Sequence, residues 1–472
     1  MGEGGNYIHR RRSPGLLALG ITLLWLLPAN AEWSATLPAF RACTPATPPE
    51  LPARWRAVGL LMPFEQGQLD VGEFVYDAAL PAMRATVYGL ESGAVDLLIT
   101  QQDTYVIHGA HGAPTYCTSL GPRLRPPSPQ WLAKESVCLG QSPVASHAVQ
   151  WWKKSGFDAA RYWISTDTRL PWRSLFLRRA LEPSIIGDYA MSYFAAFTPL
   201  PDTNLAALRD LCAKTVKPVE AKDLSATPTA RELMALGKEP AENERKARIG
   251  ELIPGLSHKA CAGMKTPRWP DRFVTTAIVT PIQLDEYPYS TLIYYDWSEA
   301  HTQLILPFYG YPPVLQGILS LKDRVGYRQH YSHEHKPGVC AGVLPGIVRP
   351  DWMSVASCQC KAVIDPGSPL GTNVPSQILE CPIKTQSPRI MWSWYTTQDE
   401  PIMFVEAEPE GTGVMLADYD DWVPGQSGLP GNFDLPKECV PADGSAEAAG
   451  RTPRSIANVS CSECHTTPFS AQ

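Results

Sequence analysis

Two groups of residues in this sequence have the types and spacing to do chemistry. The first is a repeated histidine pattern: Tyr105-x-x-His108-x-x-His111-x5-Cys117 recurs as Tyr327-x-x-His330-x-x-His333-x6-Cys340, with His335 beside it. Paired imidazoles ligate zinc or copper. Residues i and i+3 on a strand point to opposite faces, so a shared ion needs the chain to turn, and Gly109 and Gly112 permit that in the first copy. The competing reading is histidines packed beside a disulfide. The second group is Cys461-Ser462-Glu463-Cys464-His465, the C-x-x-C-H pattern in which two thiols bond haem vinyl groups and the histidine takes an axial position. The preceding stretch, Pro441 to Ile456, is rich in Gly, Ala, Ser and Pro and shows no helix to cover a porphyrin. A small Cys461 to Cys464 disulfide loop and a zinc site are the alternatives to haem c.

Other chemistry is thinly represented. Tyr76-Asp77 and Tyr295-Asp296 offer carboxylates to calcium, but isolated carboxylates are not the clustered acidic loop that binds it. There is no G-x-S-x-G elbow, no G-x-x-x-x-G-K loop, no H-E-x-x-H and no dinucleotide fingerprint, so the sequence leans away from an enzyme. An extracellular metal-dependent enzyme using the paired histidines stays as an alternative, as does a haem redox protein using the tail. With 41 Lys+Arg against 47 Asp+Glu and no basic block beyond the N-terminus, nucleic-acid binding is set aside.

The elements that would hold such groups follow from compartment and repeat. His9-Arg10-Arg11-Arg12 precedes the apolar run Leu16 to Leu27, and Pro28-Ala29-Asn30-Ala31 ends in a small-x-small cleavage pattern. Residues 1–31 therefore read as a signal peptide, and no later run approaches the length of a membrane span. A secreted or periplasmic location follows, where an even set of twelve cysteines reads as a disulfide framework.

The chain also aligns with itself. Cys43 and Trp55 answer Cys261 and Phe273; Tyr76-Asp77 answers Tyr295-Asp296; Cys138 answers Cys360, Trp163 answers Trp394, Gly187-Asp188-Tyr189 answers Ala417-Asp418-Tyr419, and Cys212 answers Cys439. Two tandem domains result, 37–212 and 255–440, joined by a charged linker at 213–254 and followed by a tail at 441–472. One bridge tying the ends of each domain and one clipping its middle predicts Cys43 with Cys212, Cys117 with Cys138, Cys261 with Cys439 and Cys340 with Cys360. Cys358 with Cys381 remains as an additional pair, Cys358 and Cys360 being close competitors.

Forty-six prolines argue against long helices. Short β-branched or aromatic runs, Val58 to Met62, Glu73 to Tyr76, Arg84 to Tyr88 and Val95 to Thr100, then Arg272 to Val279, Tyr289 to Tyr295 and Thr302 to Leu306, read as antiparallel meanders. Within 213–254, Thr227-Pro228 reads as the start of a short helix. The fold class is mainly β with short helices, stabilised by disulfides. Aromatics cluster late in each copy, and they either fill a core or line a pocket for a small apolar ligand. The candidate pocket residues are Tyr76, Trp163, Tyr189, Tyr295, Trp394 and Tyr419.

The run Trp394-Tyr395-Thr396-Thr397, Pro401, Phe404, Glu406, Leu416-Ala417-Asp418-Tyr419, Trp422, Phe433 and Cys439 resembles the ependymin-related secreted proteins and the similar N-terminal region of counting-factor-associated proteins. The resemblance implies a bent antiparallel half-barrel of the kind also found in bacterial lipoprotein carriers, with an apolar pocket and often calcium binding and dimerisation. Together these readings give a secreted protein that binds a lipid-like ligand or an extracellular protein without transforming it, with no cofactor expected and calcium or haem c as the alternatives. Two copies in tandem and no papain-like protease domain set this chain apart from that family.

Overall fold

Strand β1 (Arg54–Pro63) shows how the chain is laid out. Trp55, Ala57 and Leu61 point to one side and Val58, Leu60 and Met62 to the other, and all six are buried. A strand apolar on both sides must lie between two layers. The computed structural model describes residues 41–425 except 64–66, 111–112, 129, 131, 133–135, 145–146, 155–159, 177–188, 219–229, 238–240, 282–287, 298–300, 307–314, 321–324, 332–336, 346–348, 371–372, 384–388 and 408–413. Over the strands from 301 to 345 it describes the backbone path. The signal-peptide, His111, His333 and C-x-x-C-H readings lie outside the described residues.

After β1 come β2 (Asp70–Asp77), β3 (Ala82–Gly89), β4 (Ala94–Thr100), β5 (Thr104–Ala110), β6 (Ala113–Ser119), β7 (Ser136–Val144), β8 (His147–Lys154), β9 (Ala160–Ser165), β10 (Pro171–Phe176), β11 (Tyr189–Pro199), helix α1 (Leu205–Thr215) and β12 (Val216–Pro218). Helices α2 (Ala230–Leu236) and α3 (Glu242–Leu252) lead to β13 (Leu256–Ser257). The second series is β14 (Arg272–Pro281), β15 (Tyr289–Asp296), β16 (His301–Leu306), β17 (Leu315–Ser320), β18 (Val325–Tyr331), β19 (Pro337–Pro345), α4 (Trp352–Val355), β20 (Gln359–Ile364), β21 (Ser376–Ile383), β22 (Arg389–Thr396), β23 (Pro401–Ala407) and β24 (Val414–Pro424). The strands form two open twelve-stranded sheets, mainly antiparallel.

Both sheets have one topology. The first runs β12-β6-β5-β4-β3-β2-β1-β11-β10-β9-β8-β7, and the second, read from β19, runs β19-β18-β17-β16-β15-β14-β24-β23-β22-β21-β20-β13. Eleven strands correspond one to one, each sheet adding a single edge strand of its own. Register fixes the equivalences. Trp55 opposes Tyr76 as Phe273 opposes Tyr295. Trp163 opposes Arg173 as Trp394 opposes Met403. The proposed match of Tyr189 with Tyr419 is corrected by the same test. Tyr189 lies opposite Pro63 at the end of β1, whereas Tyr419 lies opposite Ala277 within β14, and the residue at Tyr419's station is Phe194, opposite Gly59. The cause is loop length: twelve residues separate β10 from β11 but six separate β23 from β24.

The disulfide pairing differs from the expected one except at Cys358–Cys381. The bridges are Cys43–Cys138, Cys117–Cys212 and Cys261–Cys360. The reason is topological. β6 and β7 follow each other in sequence yet lie ten strand spacings apart in the sheet, about 48 Å at ~4.8 Å per spacing. Measured along the sheet, that is far beyond the Cα separation of about 7 Å that a disulfide spans, and Cys360, at the opposite edge of its sheet from Cys340 on β19, is bonded to Cys261. Cys117 takes Cys212 of α1, and Cys138 takes Cys43 of the segment before β1, whose Arg41 pairs with Gln141 at the β7 edge. Cys439 lies outside the described residues. The expected Cys261 to Cys439 bridge is excluded because Cys261 is bonded to Cys360.

Each sheet has an inner face, where the two meet, and an outer face. The inner faces form one core: Leu60, Met62, Trp151, Trp163, Trp172 and Tyr193 pack with Ile278, Ile378, Trp392, Trp394, Met403 and Leu416. Helix α3 adds Ile249 and Leu252. On the outer face of the first sheet Trp55, Phe74, Tyr76, Trp152, Tyr162 and Phe194 are covered by Leu124, Leu132 and Leu233 of α2. Cross-strand partners have exchanged size between copies: Tyr162 faces Ser174 where Ser393 faces Phe404, a swap that conserves volume. The stretch expected as a charged linker thus contributes β12, α2 and α3 to the packing, with Arg245 of α3 donating to the carbonyls of Gly89 and Glu91 at 2.6 and 2.7 Å.

Candidate ligand-binding surface and the inter-sheet seam

The six expected pocket residues do not form one site. Trp163 and Trp394, at equivalent positions, lie in the inter-sheet core. Tyr76 and Tyr189 belong to the outer face of the first sheet, where the Tyr189 hydroxyl donates to Asp70 at 2.6 Å. Tyr295 and Tyr419 lie on the outer face of the second sheet. All but the half-buried Tyr419 are 3 % exposed or less.

Register places an aromatic stack at the same corner of both sheets. In the first, Trp55 stacks on Tyr76 at 5.4 Å and on Phe197 at 4.8 Å. In the second, Phe273 stacks on Tyr295 at 4.8 Å and on Trp422 at 4.3 Å. Beneath each stack a guanidinium holds a buried aspartate: Arg54 donates to Asp77 at 3.0 Å, and Arg272 pairs with Asp296 at 3.1 Å. Asp77 also accepts from Thr203 and from the Ala79 amide. Burial pushes its acidity the other way, but these donors hold its carboxyl below the usual carboxylate range. The two carboxylates considered for calcium are thus engaged by arginine.

The second corner is larger. Trp269 packs edge-on against Phe273, Tyr295 and Trp352 at 5.3, 5.4 and 5.9 Å, and its indole donates to the Tyr395 hydroxyl at 2.9 Å. Trp269, Trp352 and Trp422 are each half-buried; Val355, three residues after Trp352, and Val423, which follows Trp422, are exposed. Arg268–Asp271 at 3.0 Å and Arg349–Asp351 at 2.9 Å join Arg272–Asp296 as charged pairs around this surface. Burial, reinforced by Asp271, pushes the Tyr295 hydroxyl well above its ordinary value, and burial does the same to Tyr395. These phenols stay neutral. The arrangement offers half-buried indoles with paired charges around them.

The seam between the sheets carries a buried ion pair. Arg173 of β10 bonds Asp418 of β24 across the seam, with the side chains 2 % and 5 % exposed. The guanidinium lies over the Trp172 ring at 3.9 Å and the Tyr193 ring at 4.5 Å, and Tyr193 meets Trp394 edge-on at 5.6 Å. Burial raises the Asp418 carboxyl above its ordinary value against the opposing pull of Arg173. Neither Arg173 nor Trp269 and Trp352 stood out in the sequence, since the contacts that give them meaning run 83 to 245 residues along the chain.

The histidines are held separately. Strand β5 is irregular at Gly109, whose φ of 136° accompanies a register shift after His108. There, an added Cβ would meet the Ala113 carbonyl at 2.6 Å. The His108 ring stacks on Tyr116 at 4.5 Å, and its Nε2 bonds the Thr118 hydroxyl at 2.9 Å. Burial, then the nearby Lys217 ammonium, lowers its pKa below the usual histidine value. His330 lies on β18 opposite Gln316, at the station equivalent to His108. Among the described residues no group of three or more His, Cys, Asp or Glu converges as a metal site, and no helix is long and apolar enough to cross a membrane.

No family model matches the chain, and no curated protein matches it significantly, so the ependymin-like pattern stands as a resemblance. Solved structures that overlap it include a DUF1329 family protein from Desulfovibrio piger, 10 % identical over 38 % of this chain and 94 % of that one, with a TM-score of 0.22. MucB is 13 % identical over 54 % of this chain and 74 % of its own, with a TM-score of 0.21. The Pseudomonas aeruginosa MucA/MucB complex is 11 % identical over 78 % and 87 %, at 0.20. At these scores the overlaps assign no ligand or partner to this chain.

Proposed function

We propose that this is an exported binding protein that holds an apolar, lipid-like ligand on the outer face of its second sheet and does no chemistry on it. The observation that carries the reading is the half-buried group Trp269, Trp352 and Trp422, in which Trp269 touches Trp352 and is joined to Trp422 through Phe273, with Val355 exposed close by in sequence. Large apolar residues left together at a surface mark a site for a ligand or partner. Export is supported by the basic and apolar N-terminus and by the four described disulfides, which persist in oxidising compartments.

The test is titration of the delipidated protein with cis-parinaric acid, read as energy transfer from tryptophan. Saturable binding is expected, and Trp352→Ala or Trp422→Ala should weaken it about tenfold or more, the scale of an interfacial tryptophan hot spot. Equal affinity in wild type and both variants, with the fold intact by far-UV circular dichroism, would remove this surface as the site.

A further inference from the structure

In the inter-sheet core the Arg173–Asp418 pair is flanked along β14 by two threonines. On β14, Ile278 lies opposite Asp418, so Thr276 and Thr280 sit one step either side of it on the inner face. Thr276 is 8 % exposed, Thr280 0 %, Arg173 2 % and Asp418 4 %. Arg173 Nε, Asp418 Oδ2, Thr276 Oγ1 and Thr280 Oγ1 are all buried without a hydrogen-bond partner among the described residues. Folded proteins rarely leave such atoms buried without a partner, because each forfeits its hydration with no return. The surroundings are apolar, with Trp163, Trp394, Met403 and Leu416 in the same core.

We infer that this part of the seam is an internal binding site for a neutral hydroxyl group, supplied either by a water molecule or by the head of an uncharged, alcohol-bearing amphiphile. The chemistry selects the class. Arg173 Nε can only donate, Asp418 Oδ2 accepts, and the two threonine hydroxyls do either, so the occupant must both donate and accept. A hydroxyl does both at once. An ionised head is disfavoured in either sense, because a carboxylate or phosphate would lie beside Asp418 and an ammonium beside Arg173, with no bulk water to screen the repulsion. The inference is independent of the outer-face reading, since it uses other residues on the opposite side of the sheet.

Two measurements on the full-length exported protein test it. In a crystal structure at better than 1.5 Å, electron density should lie within hydrogen-bonding distance of both Arg173 Nε and Asp418 Oδ2. An isolated peak with no density continuing from it identifies water. Elongated density with an added mass that chloroform–methanol removes identifies the amphiphile. For the water case, oxygen-17 relaxation dispersion should detect a long-lived internal water whose contribution falls at least twofold in Thr280→Val, a shape-conserving change. No density at this place, an ion identified there by anomalous scattering, or density there for the carboxylate or phosphate head of a bound lipid would overturn the inference. So would oxygen-17 dispersion unchanged in a folded Thr280→Val protein.

Discussion

The Arg173–Asp418 pair lends itself to an exchange experiment because the repeat supplies its own replacement. Arg173 opposes Tyr193, and in the second sheet Met403 opposes Asp418, so Met403 stands at the station of Arg173 and Tyr193 at that of Asp418. Arg173→Met leaves a carboxylate that is 5 % exposed facing an apolar seam. Breaking one half of such a pair costs about 3 to 5 kcal/mol, a factor of roughly 10² to 10⁴ in the folding constant. The loss should shrink as pH falls, because the orphaned carboxyl, already raised by burial, then takes up a proton. Asp418→Tyr alone strands a guanidinium that is 2 % exposed and should cost a similar amount. The double variant puts Met and Tyr in the seam, and because well-packed apolar replacements of buried pairs are neutral or stabilising, it should return to within about 1 kcal/mol of wild type. Urea unfolding followed by tryptophan emission and far-UV circular dichroism measures all four proteins. A cost below about 1 kcal/mol for Arg173→Met, or a double variant that loses the sum of the singles, would refute the reasoning.

Other expectations follow from charge and topology. Burial pushes Glu73 up, but hydrogen bonds from Arg56 at 2.7 Å and Arg248 at 2.8 Å outweigh it and leave its pKa lowered. The unfolded chain then binds that proton more tightly, so this stability is complete above the unfolded carboxylate pKa of about 4.3 and is lost as pH falls through the folded value. Glu73→Gln should flatten the acid limb of a thermal-melt series, and an unchanged limb would count against the pair. For His108, lowered by burial and by Lys217, stability is present above the ordinary histidine pKa of about 6.5 and declines as pH falls toward the folded value. Lys217→Met should move its NMR titration upward, and no movement would mean the ammonium is too distant to act. Peptide mapping under non-reducing conditions should recover Cys43 with Cys138 and Cys117 with Cys212, and recovery of Cys117 with Cys138 would contradict the sheet order. Removing Cys117–Cys212 as Cys117→Ser with Cys212→Ser should cost about 4 to 5 kcal/mol in the chain-entropy model, given 95 residues in the loop.

Local signals carried the strands and the duplication. The runs at Val58 to Met62 and Arg272 to Val279 are β-branched or apolar without a helical period, and they fall within β1 and β14. Landmarks fixed by adjacent strands, Tyr76 with Tyr295 and Trp163 with Trp394, kept their equivalence in the structure. The match of Tyr189 with Tyr419, which relied on counting through a connection, did not survive, because the six extra residues between β10 and β11 are silent in the sequence about where they fall. The disulfides failed for a related reason. Nearness in sequence suggested a clip between Cys117 and Cys138, but the chain crosses the whole sheet between β6 and β7, and no local pattern records that crossing.

The seam was the least legible feature, and duplication explains why. If two identical copies packed through their inner faces, each contact across the seam would occur twice, and an arginine facing an aspartate would have its reverse image nearby. Here Arg173–Asp418 occurs against an equivalent station filled by Met403 and Tyr193. The asymmetry discriminates between pairings. Two first copies would bring Arg173 to Tyr193, and two second copies would bring Met403 to Asp418, leaving a carboxylate buried without a partner. Only a first copy against a second satisfies both charges. That restriction favours the partner tethered in the same chain over a like copy from another molecule, and it cannot be read from either repeat alone because each holds half of the pair.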